Sequence, residues 1–153
     1  MSLAQETEMS TSQIDDFLSE TETGVLSLAV DNEPYSIPIS YGYHASAQTI
    51  CLRLVSAPGS EKRQFLSSSP NCRIVVYDEN DSGTEYRSVI ASGTLEEIDP
   101  AEMSVEEIEQ YGEARRPLFE IWGAEKEDLD IRLYKLHPDE LSGRRTTVER
   151  EFE

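Results

Sequence analysis

Four cations in an acidic chain mark where chemistry is to be sought. Between Pro34 and Tyr77 the only carboxylate is Glu61, against Arg53, Lys62, Arg63 and Arg73. That stretch is net +3, so the rest of the chain holds −21 of a total of −18. Pro58-Gly59 reads as a turn, Ser60 as a helix N-cap, and Lys62 and Arg63 as members of the first helical turn. Cations at that end oppose the helix macrodipole. A bound phosphate removes the conflict, because backbone N–H groups, the Ser60 hydroxyl and both cations converge on it, and Arg53 on the preceding strand reaches the same place. The plain alternative is a pair of solvated surface cations, which a helix tolerates at a few tenths of a kcal/mol. The clustering favours the anion.

Other reactive side chains form no comparable pattern. Cys51 and Cys72 both fall in apolar, strand-like runs and read as buried thiols, with no disulfide framework. Neither a CxxC pair nor a His cluster is present, so no metal site is expected. His44 reads as a loop residue and His137 as a strand end, with no nucleophile or carboxylate pattern beside either.

The elements that must position these residues fit one domain. A length of 153 residues supports a single core. The charge of −18, with a pI near 4.3, excludes general nucleic-acid binding and anionic membrane surfaces. No apolar run approaches a membrane span, and the first ten residues lack a signal-peptide pattern, so a cytoplasmic protein is expected. Lysine is scarce (Lys62, Lys126 and Lys135), and acid is spread over nearly every polar segment. That composition suits a high-salt cytoplasm, where charge repulsion is screened within roughly 3 Å at 1 M salt.

Residues 1–10 carry no periodicity and 146–153 no apolar pattern, so both ends are expected to be flexible around a domain at 11–145. Ser12 reads as the N-cap of a helix whose apolar stripe is Ile14, Phe17 and Leu18, ending at Gly24. Strands follow at Val25–Val30, after a turn at 31–34 at Tyr35–Tyr43, and at Thr49–Val55. Pro38 inside the second of these marks an edge or a local distortion. A short helix spans Ser60–Ser68, and Cys72–Tyr77 and Tyr86–Ile98 form a hairpin about 80–83. Helical segments at 100–111 and 116–122 precede a last strand at Asp130–His137. The fold class is therefore mainly β with flanking helices (α+β), a small antiparallel barrel with helices outside.

The segments YSIPISYGY, ICLRLVSAPGSEKRQFL, CRIVVYDE and YRSVIASGTLEEI, in that order, resemble the pyridoxamine 5′-phosphate oxidase-like, FMN-binding split-barrel proteins. The resemblance runs from about Thr11 to Arg145 and implies a six-stranded antiparallel split barrel. It places an FMN phosphate on Ser60 and Lys62, with Glu61 where the family has Arg and Arg63 as the substitute. It places the flavin ring against Pro38, Ile39, Ser40 and Tyr41, with Arg53 and Leu54 of the next strand and Ser88 of the later hairpin. It implies a homodimer with the cofactor at the interface, and Trp122 as the aromatic that closes the site. Tyr41 and Trp122 have a second reading as ordinary core aromatics. Arg144 and Arg145 are read either as reaching an anion across the dimer or as a solvated basic tail.

By that resemblance the protein is an FMN-dependent oxidoreductase acting on a small organic molecule. The family's oxidases end in an Arg-Leu-Ala-Pro-type motif; here the sequence runs Arg144-Arg145-Thr146-Thr147, so oxidation of pyridoxamine phosphate itself is not expected. The alternatives are a non-enzymatic flavin-binding module, or a split barrel using deazaflavin F420 or haem.

Overall fold

The computed structural model describes residues 4–56, 59–68, 71–99, 101, 104–105 and 130–148. The chain begins with a strand, β1 (Ala4–Glu8), where no element is expected from the sequence. Its residues lack apolar alternation because it is an edge: it pairs antiparallel with the far end of the last strand, Glu8 opposite Arg144. Helix α1 (Thr11–Glu20) follows, capped by Ser10 and not by Ser12. The capping pair is reciprocal, Gln13 N–H donating to Ser10 Oγ at 3.2 Å and Ser10 N–H to Gln13 Oε1 at 2.8 Å. Gln13 three residues after Ser10 is what selects that cap. The helix stops at Thr21, whose N–H donates to Phe17 O, and Gly24 lies inside the next strand.

Strands β2 (Thr23–Val30) and β3 (Glu33–His44) form a hairpin. Its turn is only Asp31-Asn32, both at positive φ (48° and 66°), so Glu33 and Pro34 belong to the strand. Then come β4 (Thr49–Ser56), α2 (Glu61–Ser68), β5 (Asn71–Glu79) and β6 (Glu85–Ile98). The β5–β6 turn is tied by Asn80 Oδ1, which accepts from Thr84 N–H at 2.8 Å and Glu85 N–H at 3.1 Å. The last strand, β7 (Asp130–Val148), runs well past the predicted end at His137. Pro138 does not stop it, because a bulge there absorbs the missing donor: opposite Ser92 stands Glu140, opposite Gly93 stands Pro138, and Asp139 is extra. The segments predicted helical at 100–111 and 116–122 lie almost wholly outside the described residues.

All pairings are antiparallel, in the order β1-β7-β4-β3-β2-β5-β6, and β6 pairs back onto β7. Six strands thus close a barrel, as expected, and β1 is a seventh laid on its wall. Inward positions fill the core with Leu26, Leu28, Ile39, Leu52, Ile74, Val76, Val89 and Leu136. Phe17 and Leu18 of α1, both 1% exposed, plug one end. At the other, α2 packs on the β2–β3 hairpin, with Phe65 stacked on Tyr35 at 4.8 Å between ring centroids. Cys51 and Cys72 are both buried and outside any disulfide, and burial pushes the Cys72 thiol up to about 11.

Candidate functional site

The barrel wall is forked, and β3 makes the fork. Its residues 33–40 pair with β2, from Val30 opposite Glu33 to Thr23 opposite Ser40. Its residues 41–44 pair instead with β4, from Tyr41 opposite Leu52 to His44 opposite Thr49. The next step of that register would set Ser40 against Arg53, and the ladder ends one step short of it. Beyond this point, among the described residues, β4 pairs only with β7, from Arg53 opposite Leu133 to Ser56 opposite Asp130. Two strand edges therefore diverge from Ser40 and Arg53.

The hydrogen-bonding phase of the hairpin decides what lines the fork. A two-residue turn makes Val30 and Glu33 a hydrogen-bonded pair, so residues 34, 36, 38 and 40 turn their backbone groups away from β2. The close approach of Ser27 Oγ and Ser36 Oγ, 2.8 Å, fits that non-hydrogen-bonded phase. Pro34 and Pro38 both fall on it. They cost the β2–β3 ladder nothing and remove two donors from the fork edge, leaving the N–H groups of Ser36 and Ser40 among four carbonyls. The edge is thus an acceptor-rich strip with two donors, suited to the polar rim of a flat heterocycle and unsuited to capturing another strand.

Three residues past the end of β4, Gly59 sits at φ +76° with nothing within 4 Å of where a Cβ would stand. The first helical bond of α2 is Gln64 N–H to Ser60 O at 3.1 Å, so the amides of 61–63 have no acceptor within the helix. Those amides are the helix end at which an anion is expected from the sequence, and in the chain they follow β4, the strand that borders the fork. Glu61 stands close enough to Tyr35 that its charge, added to burial, raises the phenol above its ordinary value.

The eleven predicted site residues do not all gather. Pro38, Ser40, Arg53 and Ser60 lie along the fork and its turn, and Lys62 and Arg63 are placed by their backbone on the first turn of α2. Ile39, Tyr41 and Leu54 lie in the barrel core, at 3%, 3% and 5% exposure, where their side chains face away from the fork. The Tyr41 hydroxyl is spent on α1: it donates to Leu18 O at 2.9 Å and makes a short hydrogen bond with Thr21 Oγ1. Burial, the largest effect, and Glu22 push its pKa up to about 12 against a smaller lowering by Thr21. Ser88 lies elsewhere. It is on the outer side of β6, paired with Tyr77 of β5 and with Arg144 of β7, and so three inter-strand steps from β3, about 15 Å. Trp122 falls outside the described residues.

The cluster of four cations is also divided. Arg73 is on the outer side of β5, opposite Ser27 of β2, and so two inter-strand steps from β3, about 10 Å. Arg144 and Arg145 hold the wall together, through Glu6 at 3.1 Å and Glu85 at 3.0 Å. Sequence reasoning missed Pro34 and Ser36; the signal was there, two prolines four apart counted from a two-residue turn. Among the described residues no helix is long and apolar enough to cross a membrane.

The family model described as pyridoxamine 5′-phosphate oxidase matches residues 10–145. Among curated proteins none matches the sequence. The fold matches a candidate pyridoxamine 5′-phosphate oxidase of Corynebacterium glutamicum (TM-score 0.69, 14% identity, 95% of this chain and 96% of that one). It also matches an FAD-binding protein of Mesorhizobium loti (0.68, 21%, 96% and 99%) and one of Mycobacterium smegmatis (0.62, 22%, 92% and 98%). At these identities the likeness of structures shows the fold alone. The family match shows more: the chain belongs to the pyridoxamine 5′-phosphate oxidase family, with the split-barrel architecture.

Proposed function

We propose that the fork between β3 and β4 binds FMN, and that the protein is a flavin-dependent oxidoreductase acting on a small organic molecule other than pyridoxamine phosphate. The observation that carries this reading is the junction of two unlike features. A strip of unpaired strand backbone meets, through Gly59, a helix start whose own sequence places Ser60, Lys62 and Arg63 in the first turn. Ser60, the amides of 61–63 and both cations hold the phosphate, Arg53 borders it at the fork, and the backbone of residues 36–40 meets the ring edge. Bound there, the isoalloxazine supplies the electron or hydride transfer, and the chain orients it and limits access to water.

The same reading includes a second copy of the chain. The outward positions of β3, β2, β5 and β6 around one end of the sheet (38 and 40, 23 and 25, 75 and 77, 88 and 90) hold no charged residue, in a chain of −18. A row in register crosses all four strands there, Pro38, Val25, Val75 and Ile90, with Tyr77 72% exposed beside it. A face spared from acid in so acidic a protein suits contact with a copy of equal charge. Ser88 lies on that face, so a dimer would bring toward the fork a residue that one chain keeps distant. The acid elsewhere is an adaptation to molar salt.

The test is flavin titration by fluorescence quenching in molar salt, on the native chain and on Lys62→Ala/Arg63→Ala. Saturable binding lost in the double variant is expected; full flavin occupancy in that variant would sink the phosphate turn. Flavin retained but reduced by no nicotinamide or artificial donor would leave a binding module and remove the oxidoreductase.

A further inference from the structure

A second concavity lies away from the fork, on the outer wall where β2, β5 and β6 meet the bulge of β7. It is an open groove of about 580 Å³, bordered by Ser27, Pro34, Arg73, Ser92, Asp139 and Glu140. It flanks the apolar row, two residues further along each strand: Ser27 from Val25, Arg73 from Val75, Ser92 from Ile90.

Three charged residues border this groove, and among the described residues none of their side chains has an ion-pair or hydrogen-bond partner. No ion pair or hydrogen bond joins the Arg73 guanidinium to Asp139, to Glu140 or to any other side chain, although cation and carboxylates share one cavity. Arg87, Arg132, Arg144 and Arg145 each hold a carboxylate within 4 Å, in a chain with 31 of them. Arg73 does not.

The carboxylate side of the groove is made by the bulge, and the bulge is fitted closely. Asp139 is the extra residue between Pro138 and Glu140, which oppose Gly93 and Ser92. Gly93 permits it: a Cβ there would stand 2.9 Å from His137 O and 2.9 Å from Leu136 Cδ1. A bulge at this place re-aims consecutive residues that an unbroken ladder would send to opposite faces, and so puts two carboxylates on one rim.

We propose that this groove binds a small zwitterion, its anionic group on Arg73 with the Ser27 and Ser92 hydroxyls and its ammonium on Asp139 and Glu140. A simple anion would leave the two carboxylates facing it, and a simple cation would face the guanidinium; a molecule carrying both charges satisfies both ends of one cavity. The site is independent of the flavin reading.

The test is calorimetric titration of the full chain, as purified and with its chromophore content recorded, with glycine, 4-aminobutanoate and 6-aminohexanoate. Acetate, butanoate, hexanoate and the matching alkylamines serve as single-charge controls in the same salt. At least one zwitterion should bind saturably, about tenfold or more tighter than both of its matched single ions. Arg73→Gln and, separately, Glu140→Gln should each weaken it by about tenfold while leaving circular dichroism and chromophore content unchanged. Saturable binding by none of the three, equal binding of the single ions, or binding that survives Arg73→Gln would overturn the proposal. A protein that takes up no FMN on titration yet binds the zwitterion would sink the flavin reading and leave this one standing.

Discussion

Tyr41 is the residue at which β3 changes partners, and replacing it with Phe tests what holds the fork's closed end. The ring is 3% exposed, and its hydroxyl serves Leu18 O and Thr21 Oγ1, both at the end of α1. Tyr41→Phe keeps the packing and removes both hydrogen bonds. At about 1 kcal/mol net each, the loss should be about 1–2 kcal/mol at pH 8, or roughly 3–6 °C in melting temperature for a domain of this size. The same hydroxyl makes a second, opposite prediction. Its pKa is raised from 10.0 in the unfolded chain to about 12 in the folded one, chiefly by burial. Below pH 10 both states keep the proton and the full stability is present. Between 10 and 12 the unfolded chain ionises first, so stability falls with rising pH by about 1.4 kcal/mol per unit, roughly 2–3 kcal/mol across the window. Phe cannot ionise, and the variant escapes that loss. Cys72, also shifted upward by burial, is common to both proteins and cancels in the comparison, whereas Tyr43, raised by burial, by Asp15 and in part by the Tyr41 charge, is raised less in the variant, which adds to the variant's relative gain at high pH. Urea unfolding at pH 8 and 11.5 should therefore show the variant weaker at the first and equal or stronger at the second. A deficit that is the same at both values, or absent at pH 8, would refute the reasoning.

Further outcomes follow from the same structure. Gly93→Ala should cost about 1–3 kcal/mol in denaturant unfolding, because its Cβ must displace the His137 carbonyl across the bulge; an unchanged midpoint would mean that the bulge is pliable. Ile90→Asp, which sets a carboxylate in the acid-free row, should convert a dimer to a monomer by light scattering in molar salt with unchanged circular dichroism. The native chain should gain melting temperature steadily between 0.1 and 2 M NaCl as repulsion within a charge of −18 is screened; a flat profile would remove the salt adaptation.

The barrel was legible in the sequence because its strands alternate or run apolar and its turns carry their own signatures, Asp31-Asn32 and Asn80 to Gly83. The helix start proposed to hold a phosphate stood out because cations are scarce in this chain and Lys62 and Arg63 fall side by side there. What escaped depends on partners distant in sequence. β1 has no apolar pattern, and only the far end of β7 makes it a strand. The continuation of β7 past Pro138 depends on Gly93, forty-five residues earlier, leaving room for a bulge. The helix cap went to Ser10 over Ser12 because Gln13 completes a reciprocal pair, a choice that local spacing alone left open. Tyr41 sits in a stretch where ring contacts were expected, yet strand parity turns its side chain into the barrel. Parity counted from the two-residue turn would have sorted Pro38 and Ser40 from Ile39 and Tyr41, had the turn's length been known.

The central claim is that the fork between β3 and β4 holds a flavin by its phosphate. The most direct measurement is the visible absorption spectrum of the protein purified in molar salt, followed by heat release and identification of the chromophore. A flavin spectrum, one FMN released per chain and a colourless Lys62→Ala/Arg63→Ala variant are the results predicted. A colourless native protein that gains no flavin on titration with FMN, or one releasing a different chromophore, would contradict it.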